Sequence, residues 1–198
     1  VNLDRLDDAH LPLSVEDAIM ARISSMNPTE RALLERAAVM GSVFWVGALV
    51  ALGRLDLEPP NLWGGADDLA GHYRDLLDQL EEHDYVMRFD DSSIPGEEEY
   101  AFKHNLERDA LHKLINPKDG KRYHRRVAEW LELRLAERGE EAFELLAQHY
   151  ELGDAPAHAA SYYLAAGDRA RARYANAKAA DFYGKGLSLL GDRNIVRS

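Results

Sequence analysis

The chain has 198 residues, 46% hydrophobic and 30% charged, ordinary globular usage that excludes disorder and a membrane span as default readings. Its 24 Lys plus Arg against 35 Asp plus Glu leave a formal charge of −11, which disfavours nucleic acid unless a basic patch is segregated. The lack of Cys excludes disulfide scaffolds, thiolate zinc sites and cysteine nucleophiles, and fits a reducing, cytoplasmic compartment.

Val1–His10 carries neither a basic n-region nor an apolar h-region, so no signal peptide is expected, and the initial Val points to a piece of a longer protein. Val15, Ile19, Ile23 and Met26 recur at helical spacing after Ser14. Asn27-Pro28-Thr29-Glu30 supplies an N-cap, a proline at the first helical position and a capping-box Glu, predicting a second helix to about Met40, ended by Gly41. Phe44–Arg54 reads as a short apolar helix whose length also admits a strand. Pro59-Pro60 and Gly64-Gly65 mark a loop over Leu57–Gly65. Ala66–His83 places Leu69, Tyr73, Leu76, Leu77 and Leu80 on one helical face. Tyr85–Phe89 and Glu99–Lys103 flank a Ser/Pro/Gly-containing stretch and predict a β-hairpin.

From His104 the helical period returns, with Leu106, Ala110, Leu111 and Leu114 on one face and a break at Asn116-Pro117. The next helix carries Tyr123, Val127, Trp130, Leu131 and Leu135 and should stop at Gly139. Ala142–Leu152, Pro156–Ala166 and Ala177–Leu190 read as Ala-rich helices bounded by Gly153, Gly167 and Gly191, and their small residues facing aromatics suit antiparallel pairs. An Ala-Ala-x-aromatic-aromatic pattern at Ala159–Tyr163 returns twenty residues later at Ala179–Tyr183. It admits either irregular helical repeats or two similar helix faces, since a tetratricopeptide unit is about 34 residues long. The expected class is mostly α: a winged-helix domain with a small hairpin, then tetratricopeptide-like antiparallel helical repeats.

No phosphate-binding P-loop, H-E-x-x-H motif or nucleophile elbow is present, and no two His stand four apart. The chain alone is therefore expected to be neither an enzyme nor a metal site. The order of three helices and a hairpin from Asn27 to Lys103 is that of a winged helix, which raises DNA as a partner. Charge argues otherwise. The recognition-helix slot, with the residue following it, holds Asp67, Asp68, Asp75, Asp78, Glu81, Glu82 and Asp84 against Arg74, and the wing holds Asp90, Asp91, Glu97, Glu98 and Glu99. A protein partner is expected, with no membrane association. The basic run Lys103, Arg108, Lys113, Lys118, Lys121, Arg122, Arg125 and Arg126 reads either as an anion-facing patch or as a solvated face paired with nearby acids. Trp45, Trp63 and Trp130 are expected to pack in the core or an interface.

The motif order resembles the segment following the nucleotide-binding core in bacterial STAND signalling ATPases, including MalT-like regulators. The likeness runs through Leu11–Ile23, Asn27–Leu34 and Ala37–Phe44, then Phe102-Lys103-His104-Asn105-Leu106-Glu107-Arg108-Asp109 against the family's F-[KR]-H-x-x-x-R-[DE], then Tyr123–Leu131 and Ala147–Tyr150. The resemblance implies three parts: residues 1–26 closing the ATPase helical region, 27–115 the winged helix, and 116–198 the start of a repeat array. It implies that His104 contacts the β-phosphate of ADP in the parent and holds a closed state, with ADP or ATP and Mg bound by an intramolecular ATPase core. Asn105 replaces the family's aspartate, and Asn can cap a helix starting at Leu106. It further implies that the chain is a regulatory arm coupling nucleotide state to an inducer or protein partner on the repeats. A winged-helix transcription regulator and a helical scaffold with no nucleotide role are the alternatives; a purely local role is the alternative for His104.

Overall fold

The computed structural model of the chain describes residues 14–56, 66–135 and 142–195. The elements run α1 Val15–Ser24, α2 Pro28–Met40, β1 Val43–Trp45, α3 Val46–Gly53 with a 3-10 turn Arg54–Asp56, α4 Ala66–Glu82, β2 Val86–Arg88, β3 Glu99–Phe102, α5 Asn105–Leu114, α6 Pro117–Leu135, α7 Phe143–Leu152, α8 Pro156–Ala172 and α9 Asn176–Ile195. The readings of residues 1–13, of the Leu57–Gly65 loop with Trp63, of the stop at Gly139 and of the tail beyond Ile195 lie outside the described residues.

Local chemistry accounts for the first elements. Ser14 Oγ accepts from the Asp17 amide at 3.1 Å and starts α1. Asn27 and Glu30 close the expected capping box around Pro28, with Glu30 accepting from the Asn27 amide at 3.3 Å. Gly41 ends α2 at φ 113, a conformation that a side chain resists. Phe44–Arg54 is not one helix: Val43–Trp45 forms a strand, and the helix begins at Val46. The strand forms because β3 offers it a ladder, pairing Val43 with Ala101 and Trp45 with Glu99, a long-range partner that a local pattern does not reveal. The expected hairpin is β2 and β3, antiparallel with Met87 opposite Ala101, and the resulting three-stranded sheet has the order β1-β3-β2. Central β3 is buried at every residue.

One large apolar core joins α1–α6 and the sheet, with Phe44, Leu34, Leu49, Leu77, Leu80, Leu111 and Leu131 fully covered. The α4 stripe packs inward as its spacing predicts. Helix α5 is rotated from the expected face: Leu106 and Leu114 are exposed, while Glu107 and Leu111, four residues apart, are buried. The rotation follows from Arg22 of α1, whose guanidinium reaches Glu107 at 2.7 Å and turns a polar position inward. Helix α6 buries two faces. Tyr123, Val127, Trp130 and Leu131 join the large core, while His124 and Ala128 turn toward α7 and α8.

The remaining helices pack α6 on α7, α7 on α8 and α8 on α9 in sequence order. Small residues set the distances, with Ala147, Ala166, Ala170 and Ala179 around Tyr163 and Phe182. Gly167 does not end α8 and Gly191 does not end α9; both lie inside their helices. A Cβ on Gly167 would stand 2.6 Å from the Tyr183 ring, so that glycine marks a close helix approach rather than a stop.

Candidate functional site at the β3–α5 junction

His104 stands at the N-cap position of α5 with extended backbone, φ −130 and ψ 115. Its carbonyl accepts from the Glu107 amide at 3.1 Å and from the Arg108 amide at 3.3 Å, while its imidazole makes no capping bond and is exposed. Asn105 is the first residue of α5, not the cap of a helix starting at Leu106. Its side-chain oxygen instead accepts from Ser42 Oγ at 2.9 Å, tying the helix start to the residue preceding β1. The backbone is held further by the Lys103 amide on Tyr85 O and the Phe102 amide on Ser42 O.

Charged side chains lock the frame around that imidazole. Lys103 pairs with Asp84, a left-handed turn residue at φ 62, and the ammonium holds the Asp84 carboxyl below its ordinary range. Arg22 binds Glu107 and the His83 carbonyl and lies 4.1 Å over the Tyr85 ring, so α1 is stapled across the junction. Glu107 Oε2 is buried without a hydrogen-bond partner. Arg108 pairs with Asp109 at 3.0 Å and reaches none of these groups. The chemical result is a rigid strand-to-helix corner that presents one imidazole outward beside a helix N-terminus, where an anion is favoured.

The β2–β3 hairpin is less acidic on its surface than its sequence. Glu99 is buried and accepts from Trp45 Nε1 at 3.0 Å, Ser92 Oγ at 3.2 Å and Ser93 N and Oγ at 2.5 Å. Burial raises its carboxyl and these bonds outweigh the burial, leaving it below its ordinary value. Glu97 and Glu98 also turn inward onto arginines. Three of the five acids in this hairpin therefore do not form the repulsive outer surface inferred from composition. The basic run is largely committed to partners within the chain: Lys121 to Asp154, Arg122 to Asp56 and Asp119, Arg126 to Glu129, and Arg125 to the backbone carbonyls of Gly153 and Asp154. Trp45 and Trp130 are buried and stacked at 5.9 Å.

Beyond the corner, the α6–α8 region carries two polar nodes that the sequence reading missed. Glu132 accepts from the Tyr150 hydroxyl and from the Tyr162 hydroxyl at 2.5 Å, beneath two tyrosine rings stacked at 5.7 Å. Those two bonds hold its carboxyl low and help push both phenols up, with burial the larger cause for the phenols. His124 and His149 face each other Nδ1 to Nδ1 at 3.0 Å, buried, with the His112 ring beside His124. Burial holds both imidazoles below their ordinary value, so one neutral ring donates to the other. No local signal marks Glu107, whose partner Arg22 lies 85 residues away, or the histidine pair, whose members lie 25 residues apart.

Among the described residues, no group of three or more His, Asp or Glu is arranged to hold a metal, and no helix is long and apolar enough to cross a membrane. No family model, curated protein or solved structure matches the chain.

Proposed function

We propose that the chain is the non-catalytic regulatory arm of a STAND-type signalling ATPase, in which residues 27–115 form a winged helix and residues 116–198 begin a tetratricopeptide-like array. The observation that carries this reading is His104: an exposed imidazole at the N-cap of α5, held on a corner pinned by α1, α2–β1 and the α4–β2 turn. The corner is stiff and its ring is open to a neighbouring domain, the arrangement a phosphate contact across a domain interface needs. In this proposal ADP in the parent's ATPase core, with its Mg, draws that core onto the corner. ATP exchange, together with an inducer or protein partner on α6–α9, releases it. The helix-strand-helix-helix-hairpin order of α2 to β3 and the sequential packing of α6 to α9 support the two assigned parts.

Hydrogen exchange on the full-length parent tests the reading. With ADP bound, amides of residues 103–108 are expected to gain protection that ATP removes. Identical exchange in the two nucleotide states would overturn it.

A further inference from the structure

At the other end of β3, a cleft of about 330 Å³ opens between α3, α4, the wing and α6. Its lining includes four arginines, Arg54, Arg74, Arg126 and Arg134, and two acids, Glu97 and Glu98. In a chain of formal charge −11, this is a local excess of guanidinium around a cavity.

The two carboxylates already show what the cleft recognises. Trp45, at the N-cap of α3, offers no side-chain cap. Glu97 takes that place: one of its oxygens accepts from the Gly47 amide at 3.2 Å, and the other meets Arg134 at 3.0 Å. Its side chain is only 8% exposed, and a Cβ on Gly47 would overlap it at 2.3 Å. Glu98 bridges Arg74 at 2.5 Å and Arg88 at 3.0 Å. The wing thus seats its own anion between a helix N-terminus and a guanidinium, the chemistry by which proteins hold phosphate.

The donors outnumber these acceptors. Nε of Arg54 and Nε of Arg126 are buried without a hydrogen-bond partner, a costly state for a guanidinium donor. Neither oxygen of Glu97 reaches them. A ligand with more acceptor oxygens than a carboxylate, compact enough for the cavity, completes the set. We propose that the cleft is a diphosphate-binding site whose arginines the wing residue Glu97 partly occupies in the unliganded chain. A diphosphate competes with Glu97 for Arg134, so its binding loosens the wing from α6. The site is separate from the His104 corner, lying before β3 where His104 lies after it, and does not depend on the role proposed there.

Titration of the 198-residue chain with inorganic pyrophosphate, read through the arginine Nε–Hε resonances and calorimetry at constant ionic strength, tests the assignment. Saturable shifts are expected for Arg54, Arg126 and Arg134. Glu97→Gln removes the competing charge and should tighten binding by roughly fivefold or more, while Arg126→Ala and Arg134→Ala, both at partly exposed side chains, should each weaken it by about tenfold. ADP titrated in parallel assigns the source: tighter binding of ADP points to a nucleoside diphosphate and equal or weaker binding to a free diphosphate, either result sustaining the site. Non-saturating shifts, shifts that persist in both arginine variants with the native spectrum retained, or unchanged affinity in Glu97→Gln would overturn it.

Discussion

The region from α1 to α6 and the region from α7 to α9 are both helical, yet they are held together by different means. The first is a core of large side chains, Phe44 against Tyr100 and Phe102 at 6.0 and 5.4 Å, closed over a buried central strand. The second has few large aliphatics inside and depends on close approach of the Arg125 backbone to Gly153 and of the Tyr183 ring to Gly167, on alanines, and on tyrosine hydroxyls bonded to Glu132 and Glu151. A close-packed core of large side chains resists small shifts, whereas a seam of small residues and short polar bonds opens or closes as a unit. The difference assigns rigidity to the part carrying His104 and adjustability to the part proposed to meet an inducer.

Breaking the first region should have the largest effect. Phe44→Ala removes a fully covered ring and is expected to cost about 3–5 kcal/mol in urea unfolding. At the seam, Gly153→Ala should cost less, about 1–3 kcal/mol, because its Cβ would meet the Arg125 backbone at 2.7 Å and force α6 and α7 apart. Amide exchange should then rise in α7–α9 while α2–α4 stay protected, and a uniform rise would erase the distinction between the regions. Glu132→Gln replaces an ionised acceptor of two phenols with a neutral one and should cost about 1 kcal/mol for each of the two bonds. Both phenols should then ionise at lower pH, a change that tyrosine NMR can follow.

His124 and His149 are buried with folded-state values depressed from 6.5, so the unfolded chain binds more protons than the native one as pH falls below that point. Their contribution is complete above pH 6.5 and is lost progressively on acidification. The α6–α7 seam should weaken as pH falls from 6.5 to about 4, and His149→Gln should flatten that slope in denaturation measured across the range. The smallest effect belongs to the surface. Arg31→Ala, breaking the partly exposed pair with Glu35 on α2, should change stability by no more than about 0.5 kcal/mol.

What was legible in the sequence follows the same division. The Asn27–Glu30 capping box, the α4 stripe and the hairpin are local patterns, and all formed where their residues predict. The strand that the length of Phe44–Arg54 left open could not be placed, because Val43–Trp45 acquire strand character from β3, more than fifty positions away. The α5 face was misread because an ion pair, Arg22 with Glu107, overrides an apolar stripe that would have buried Leu106 and Leu114. Gly167 and Gly191 looked like stops because glycine ends helices by local geometry, while here Gly167 serves packing against Tyr183. His104 was singled out by motif and is found exposed on its corner, but the Arg22 staple and the inward turn of Glu97, Glu98 and Glu99 depend on tertiary partners with no periodic trace.

In the proposed role, His104 reads the nucleotide of a neighbouring ATPase core. The most direct measurement is the rate of ADP release from the full-length parent, wild type against His104→Ala, followed with a fluorescent ADP. Loss of a charge-assisted contact predicts release faster by about tenfold, with the fold of the arm unchanged by circular dichroism. Equal release rates in the two proteins would contradict the account.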